Sequence, residues 1–110
     1  MPSYSINDVI LVRYPFSDLS GVKVRPAVVV SARHPSQDIF ILPLTSRTSS
    51  LVAGEFPLND WKTEGLNVPT AVKRGVYTIH QSLVLKTVGR LSPTDATQLQ
   101  SSLRGWLGIA

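Results

Sequence analysis

Two short stretches of this 110-residue chain carry side chains in patterns suited to chemistry. One is Lys23-Val24-Arg25-Pro26-Ala27-Val28-Val29-Val30, a cation held one step ahead of a proline and a β-branched run. The other is Thr45-Ser46-Arg47-Thr48-Ser49-Ser50, six polar residues of which five carry hydroxyls. A guanidinium is a permanently charged fork that matches a phosphate or a carboxylate. A hydroxyl adds a single directed donor. Converging on one point, the two could bind a phosphoryl group and stabilise charge developing on it. Each also has an ordinary reading: Arg25 as a surface arginine that precedes a strand, and Thr45 as a turn residue bonded to its own backbone.

Convergence depends on the elements that hold these residues. The run Val28-Val29-Val30 predicts a strand buried on both faces, over Arg25–Ser31. Pro26 belongs at its start, because proline cannot donate to a sheet ladder. A further strand is expected over Asp38–Leu44, with Pro43 marking an edge, a bulge or the strand's end. The turn between them, Arg33-His34-Pro35-Ser36-Gln37, is short, so the two strands should pair antiparallel. The start of one then lies beside the end of the other, and Arg25 meets Thr45 despite 20 intervening steps of chain.

The remaining elements follow from periodicity and punctuation. Ile6–Tyr14 reads as the first strand, followed by a loop over 15–21 in which Phe16 and Leu19 either pin the loop or meet a partner. Short strands are expected at Glu55–Leu58, Val68–Val72, Val76–His80 and Lys86–Leu91. Trp61–Glu64 is expected to be extended, and Leu83-Val84-Leu85 to be a strand or a single turn. Short strands between Gly and Pro turns suggest a small barrel or a sandwich. The chain ends in a helix: Ser92 as N-cap, Pro93 at the first helical position, Asp95 where a capping-box acid sits. Ala96, Leu99, Leu103, Trp106 and Leu107 form its apolar stripe, and Gly105 and Gly108 mark its end. Residues 1–110 fit one domain.

Composition removes several chemistries. The absence of cysteine excludes disulfides, thiolate zinc sites and thiol nucleophiles. The two histidines, His34 and His80, have no acid at ligand spacing, so neither a metal nor another cofactor is expected. His80 is either a proton-transfer group or a packed or surface histidine, and Trp61 either stacks on a base or caps the core. There is no Gly-rich phosphate loop, and no serine in a strand–turn–helix nucleophile context. No apolar run approaches membrane-spanning length, and no signal peptide is visible, so a cytoplasmic location is expected. The formal charge is +4. No acid falls between Glu64 and Asp95, a span that holds Lys73, Arg74, Lys86 and Arg90; Arg13, Lys23 and Arg25 form a second basic group. Brought together, these would make a positive face for nucleic acid or an acidic peptide.

Taken in order, Asn7-Asp8-Val9-Ile10-Leu11-Val12, Val24-Arg25-Pro26-Ala27-Val28-Val29, Leu44-Thr45-Ser46 and Gly89-Arg90-Leu91-Ser92 ahead of a terminal helix resemble the MazF/PemK family, the toxins of type II toxin–antitoxin pairs. The resemblance implies an SH3-like barrel with a C-terminal helix, homodimers, and metal-independent cleavage of single-stranded RNA, mRNA included. It implies growth inhibition, an antitoxin partner whose acidic, flexible segment fills the RNA groove, and DNA binding by the toxin–antitoxin complex. The family's catalytic arginine and hydroxyl residue match Arg25 and Thr45. Lys23, Ser46, Arg47, Arg13 and Arg74 are the expected substrate-binding residues. The chain departs from the better-known members at Asp18-Leu19-Ser20-Gly21 in the first loop and at Asn7, where the family has glycine. The rival reading is a non-catalytic SH3-like module that binds RNA or an acidic peptide. A DNA-binding regulator fits less well, because the helix face is apolar and carries one cation, Arg104.

Overall fold

A computed structural model describes residues 4–14, 23–32 and 34–109. It contains β1 (Asp8–Tyr14), β2 (Lys23–Val29), β3 (Asp38–Thr45), β4 (Phe56–Pro57), β5 (Ala71–Val72), β6 (Tyr77–His80), β7 (Val84–Arg90) and α1 (Pro93–Leu107). The strands form one sheet in the order β4-β5-β3-β2-β1-β7, with β6 also on β3. Every pairing is antiparallel. The expected mainly-β, small-barrel-like fold with a C-terminal helix is what forms, although the outer strands β4 and β7 do not pair to close it. The first loop, with Phe16 and Leu19, lies outside the described residues. No described helix is long and apolar enough to cross a membrane.

The β-branched runs are continuous because the central strands are covered on both faces. Side chains alternate along a strand. Ile10, Val12, Ala27, Val29, Ile39 and Ile41 therefore build one core with Ile79. Val9, Val28, Leu42 and Leu44 build a second with Phe56, Val72 and Leu99. Burying each such aliphatic side chain is worth roughly 1.5–3 kcal/mol, so the three-strand centre is the rigid frame of the molecule.

Several strand boundaries differ from expectation, each for a local reason. β1 begins at Asp8 rather than Ile6, because Asn7 has φ 79°. That left-handed backbone suits glycine, and asparagine tolerates it better than most residues. Asn7 thus adopts a backbone that glycine takes without strain. β2 starts two residues early, where Lys23 pairs with Tyr14, so Pro26 lies inside the strand. β7 starts at Val84, after a 3-10 turn over Gln81–Leu83. Residues 61–64 are a turn, not extended: Glu64 N–H donates to Asp60 O (3.0 Å) and Leu66 N–H to Trp61 O (3.0 Å). Only Ala71–Val72 of the expected 68–72 strand is paired.

The helix docks on the second core through Ala96, Leu99, Leu103 and Trp106, whereas Leu107 is 55% exposed. Gly105 lies inside the helix, and Gly108, at φ 70°, caps it. Ser92 Oγ accepts from Asp95 N–H (3.3 Å), as a capping box requires, but the return bond comes from elsewhere. Glu64 Oε2 accepts the Ser92 N–H (2.8 Å). Asp95 instead accepts the backbone N–H groups of Asn59 (3.1 Å) and Asp60 (3.2 Å). The two buried carboxylates thus tie the 59–64 turn to the helix start. Carboxylate oxygens of Asp60, Glu64 and Asp95 lie within 4.8 Å of one another. Burial pushes the Glu64 carboxyl up to about 7; Asp95 adds to that push, against the Ser92 N–H.

Candidate active-site groove

The β2–β3 ladder pairs Val29 with Ile41, Val28 with Leu42 and Ala27 with Pro43, confirming the antiparallel hairpin. Continued in the same register, it would set Pro26 against Leu44 and Arg25 against Thr45. Backbone direction explains why it stops. Val30 N–H reaches Phe40 O (2.9 Å), so Val30, Val28 and Pro26 turn their amide sides toward β3. Pro26 has no N–H to give, and the ladder ends before it. β2 goes on with β1, pairing Arg25 with Val12, while β3 moves to β5, pairing Leu44 with Val72 and Thr45 with Ala71. The sheet splits here, and Arg25 and Thr45 line the same groove of about 680 Å³.

Pro43 serves the same split from the other strand. Its carbonyl accepts Lys73 N–H (3.1 Å), so its nitrogen also faces the β5/β6 edge. That edge is where β3 exchanges one partner for another: Ile41 pairs with Tyr77 of β6, and Leu44 with Val72 of β5. The missing donor falls in the gap between them. Alternation then places Arg25, Pro43, Thr45, Lys73 and Tyr77 on the face of the first core, beyond its end. All five line the groove.

The polar groups of the groove are held by short bonds. Arg47 N–H donates to Thr45 Oγ1 (3.1 Å), which fixes the oxygen and leaves the hydroxyl proton to be donated. Thr45 is thus both the turn residue of the ordinary reading and a groove residue. Glu55 is the one acid among the described lining residues. Its carboxylate accepts Arg74 N–H (2.8 Å) and Val52 N–H (2.9 Å). The Arg74 bond and then the Val52 bond hold the carboxyl below the usual carboxylate range.

Of the residues expected to bind substrate, Arg47 lines the groove and Ser46 is exposed in the turn beside it. Arg74 is exposed and offers its backbone, while its neighbour Lys73 lines the groove instead. Arg13 pairs with Val24, which puts it on the opposite sheet face from Arg25. Lys23 opens β2 opposite Tyr14, and its side chain is outside the described residues. Among the described side chains the two basic groups therefore meet through Arg25 and Lys73, and Arg90 pairs with Asp8 (3.0 Å) elsewhere. Trp61 caps the second core, with Lys62 Nζ 5.4 Å over its ring. His80 accepts Ser82 N–H (3.1 Å) and caps the 3-10 turn. Sequence reasoning missed Lys73, Tyr77 and Glu55 as groove residues. The only signal for Lys73 was its place in the basic span.

A family model described as PemK-like, MazF-like toxin of type II toxin-antitoxin system matches residues 7–107. No curated protein matches the sequence. Among solved structures, the Mycobacterium tuberculosis toxin MazF-mt6 is similar, with 18% identity and TM-score 0.73 over 94% of this chain and 98% of that one. A mycobacterial endoribonuclease in complex with its cognate antitoxin gives 16% identity and TM-score 0.77, covering 98% of both chains. MazE-MazF from Deinococcus radiodurans gives 15% identity and TM-score 0.80, covering 100% of both.

Proposed function

The chain belongs to the PemK-like, MazF-like toxins of type II toxin–antitoxin systems, and we propose that it is a metal-independent endoribonuclease acting on single-stranded RNA at the Arg25–Thr45 groove. The observation that carries this reading is the split at Pro26, which sets a guanidinium and a hydroxyl on either side of one opening. The nucleophile is the substrate's own ribose 2′-hydroxyl. It attacks the adjacent phosphorus, the bond to the 5′-oxygen breaks, and the products carry a 2′,3′-cyclic phosphate and a 5′-hydroxyl. Because the nucleophile comes with the RNA, the protein's task is alignment and stabilisation of charge on the phosphoryl oxygens.

Arg25 supplies a permanently charged fork and Thr45 one hydrogen bond to those oxygens. Arg25 does not act as the proton acceptor, since a guanidinium keeps its proton. Arg47 adds positive charge along the groove. An acidic, flexible antitoxin segment fits the same cationic opening. Homodimer formation and a cytoplasmic location complete the reading by family.

The test is incubation of the purified chain with labelled single-stranded RNA in excess EDTA. Cleavage leaving 2′,3′-cyclic phosphate ends is expected. Tight binding with the RNA left intact would support a non-catalytic module instead.

A further inference from the structure

Glu55 is a carboxylate in the wall of a groove whose other charged lining residues, among those described, are Arg25, Arg47 and Lys73. An acid there repels a polyanion, so its place needs a reason. Both its oxygens are committed, Oε1 to Val52 N–H and Oε2 to Arg74 N–H. The turn it closes is anchored from behind. Glu55 N–H donates to Val52 O (2.9 Å), Trp106 Nε1–H to Ala53 O (2.9 Å) and Ser102 Oγ–H to Gly54 O (2.7 Å). Glu55 therefore links the docked helix to residue 74, next to Lys73. On its other side Lys73 is tied to β3 by its N–H bond to Pro43 O. Arg25 and Lys73 flank β3 from its two edges and line the same groove.

We infer that Lys73 contacts a second RNA phosphate, next to the one at Arg25, and that Glu55 is the positioning residue that holds it there. This rests on the RNA reading above. Glu55 is a poor proton acceptor: each oxygen already accepts an amide N–H, and a carboxyl held below its usual range is a weak base.

The experiment uses a single-stranded RNA 2′-O-methylated throughout, which binds but lacks the reacting hydroxyl, and an unmodified RNA for turnover. Binding is measured across salt concentrations. Lys73→Ala should weaken binding about tenfold and reduce the salt slope by about 0.7, the loss of one single-strand phosphate contact. Glu55→Ala should reproduce that slope change, and the double variant should add little to either. A merely structural loss would lower the competent fraction and leave the slope alone. In turnover, Glu55→Gln should raise KM more than it lowers kcat and keep the acidic limb of the pH profile. Parental affinity and slope in Lys73→Ala would overturn the inference. So would a Glu55→Gln variant that loses kcat at unchanged KM. If the parent chain binds no RNA, the functional reading falls and takes this one with it. If the parent binds and both variants match it, this inference alone fails.

Discussion

The antiparallel hairpin brings Arg25 and Thr45 to one groove, and two prolines that withhold hydrogen bonds open the sheet between them. Pro26 ends the β2–β3 ladder at Ala27, and Pro43 occupies the gap where β3 changes partners. The approach of the two residues was legible, since it needed only a short turn and an antiparallel pair. The split between them was not, because it depends on which way Pro26 turns its nitrogen, and that follows from register. Thr45 has a single geometric duty in this account, donating from an oxygen already fixed by Arg47 N–H. Thr45→Val should therefore lower the single-turnover cleavage rate by about 10²–10³, whereas Thr45→Ser, which keeps the hydroxyl, should recover most of it. Equal rates for Val and Ser would remove the hydroxyl from the mechanism.

Among the elements, α1 reaches the groove without lining it. Its Trp106 lies against Gly54, where an added Cβ would come within 2.5 Å of the indole nitrogen. Gly54 has φ 88°, a conformation costing an L-residue about 1–2 kcal/mol even without the clash. Gly54→Ala should lower unfolding stability by at least ~1–2 kcal/mol in chemical denaturation; an unchanged midpoint would mean that the turn and the indole move apart freely. The helix itself was legible from Ser92, Pro93 and the three- and four-residue apolar steps. Its true capping partner was not. Glu64 lies 28 residues from Ser92, and nothing in local spacing ties the two. The same distance explains why Trp61–Glu64 was expected to be extended. The turn there closes on Asp60 O and Trp61 O, and the Asn59 and Asp60 amides just before it are taken by Asp95, a contact only the tertiary fold supplies.

For the whole molecule, the Glu64–Asp95 pair sets a pH dependence. Glu64 is 1% exposed, its Oε1 has no hydrogen-bond donor among the described residues, and its carboxyl is raised from 4.5 to about 7. The folded chain therefore holds a proton that the unfolded chain has released across that interval. Stability should be greatest below about pH 4.5 as far as this group is concerned, and should fall as pH rises through about 7. Glu64→Gln keeps an acceptor for Ser92 N–H and offers Asp95 a permanent donor. Thermal unfolding from pH 5 to 8 should lose this contribution in the variant, and an equal slope in both chains would assign the dependence elsewhere. The charge pattern points to a polyanionic partner from the sequence; among the described residues the fold gathers Arg25, Arg47 and Lys73 into the groove, while Arg13 falls on the opposite sheet face. The most direct measurement of the central claim is single-turnover cleavage of a labelled single-stranded RNA in EDTA, with the parent chain and Arg25→Ala side by side. Metal-free cleavage by the parent is expected, with a rate about 10²–10³ lower for Arg25→Ala; cleavage by Arg25→Ala at the parental rate would remove Arg25 from the reaction.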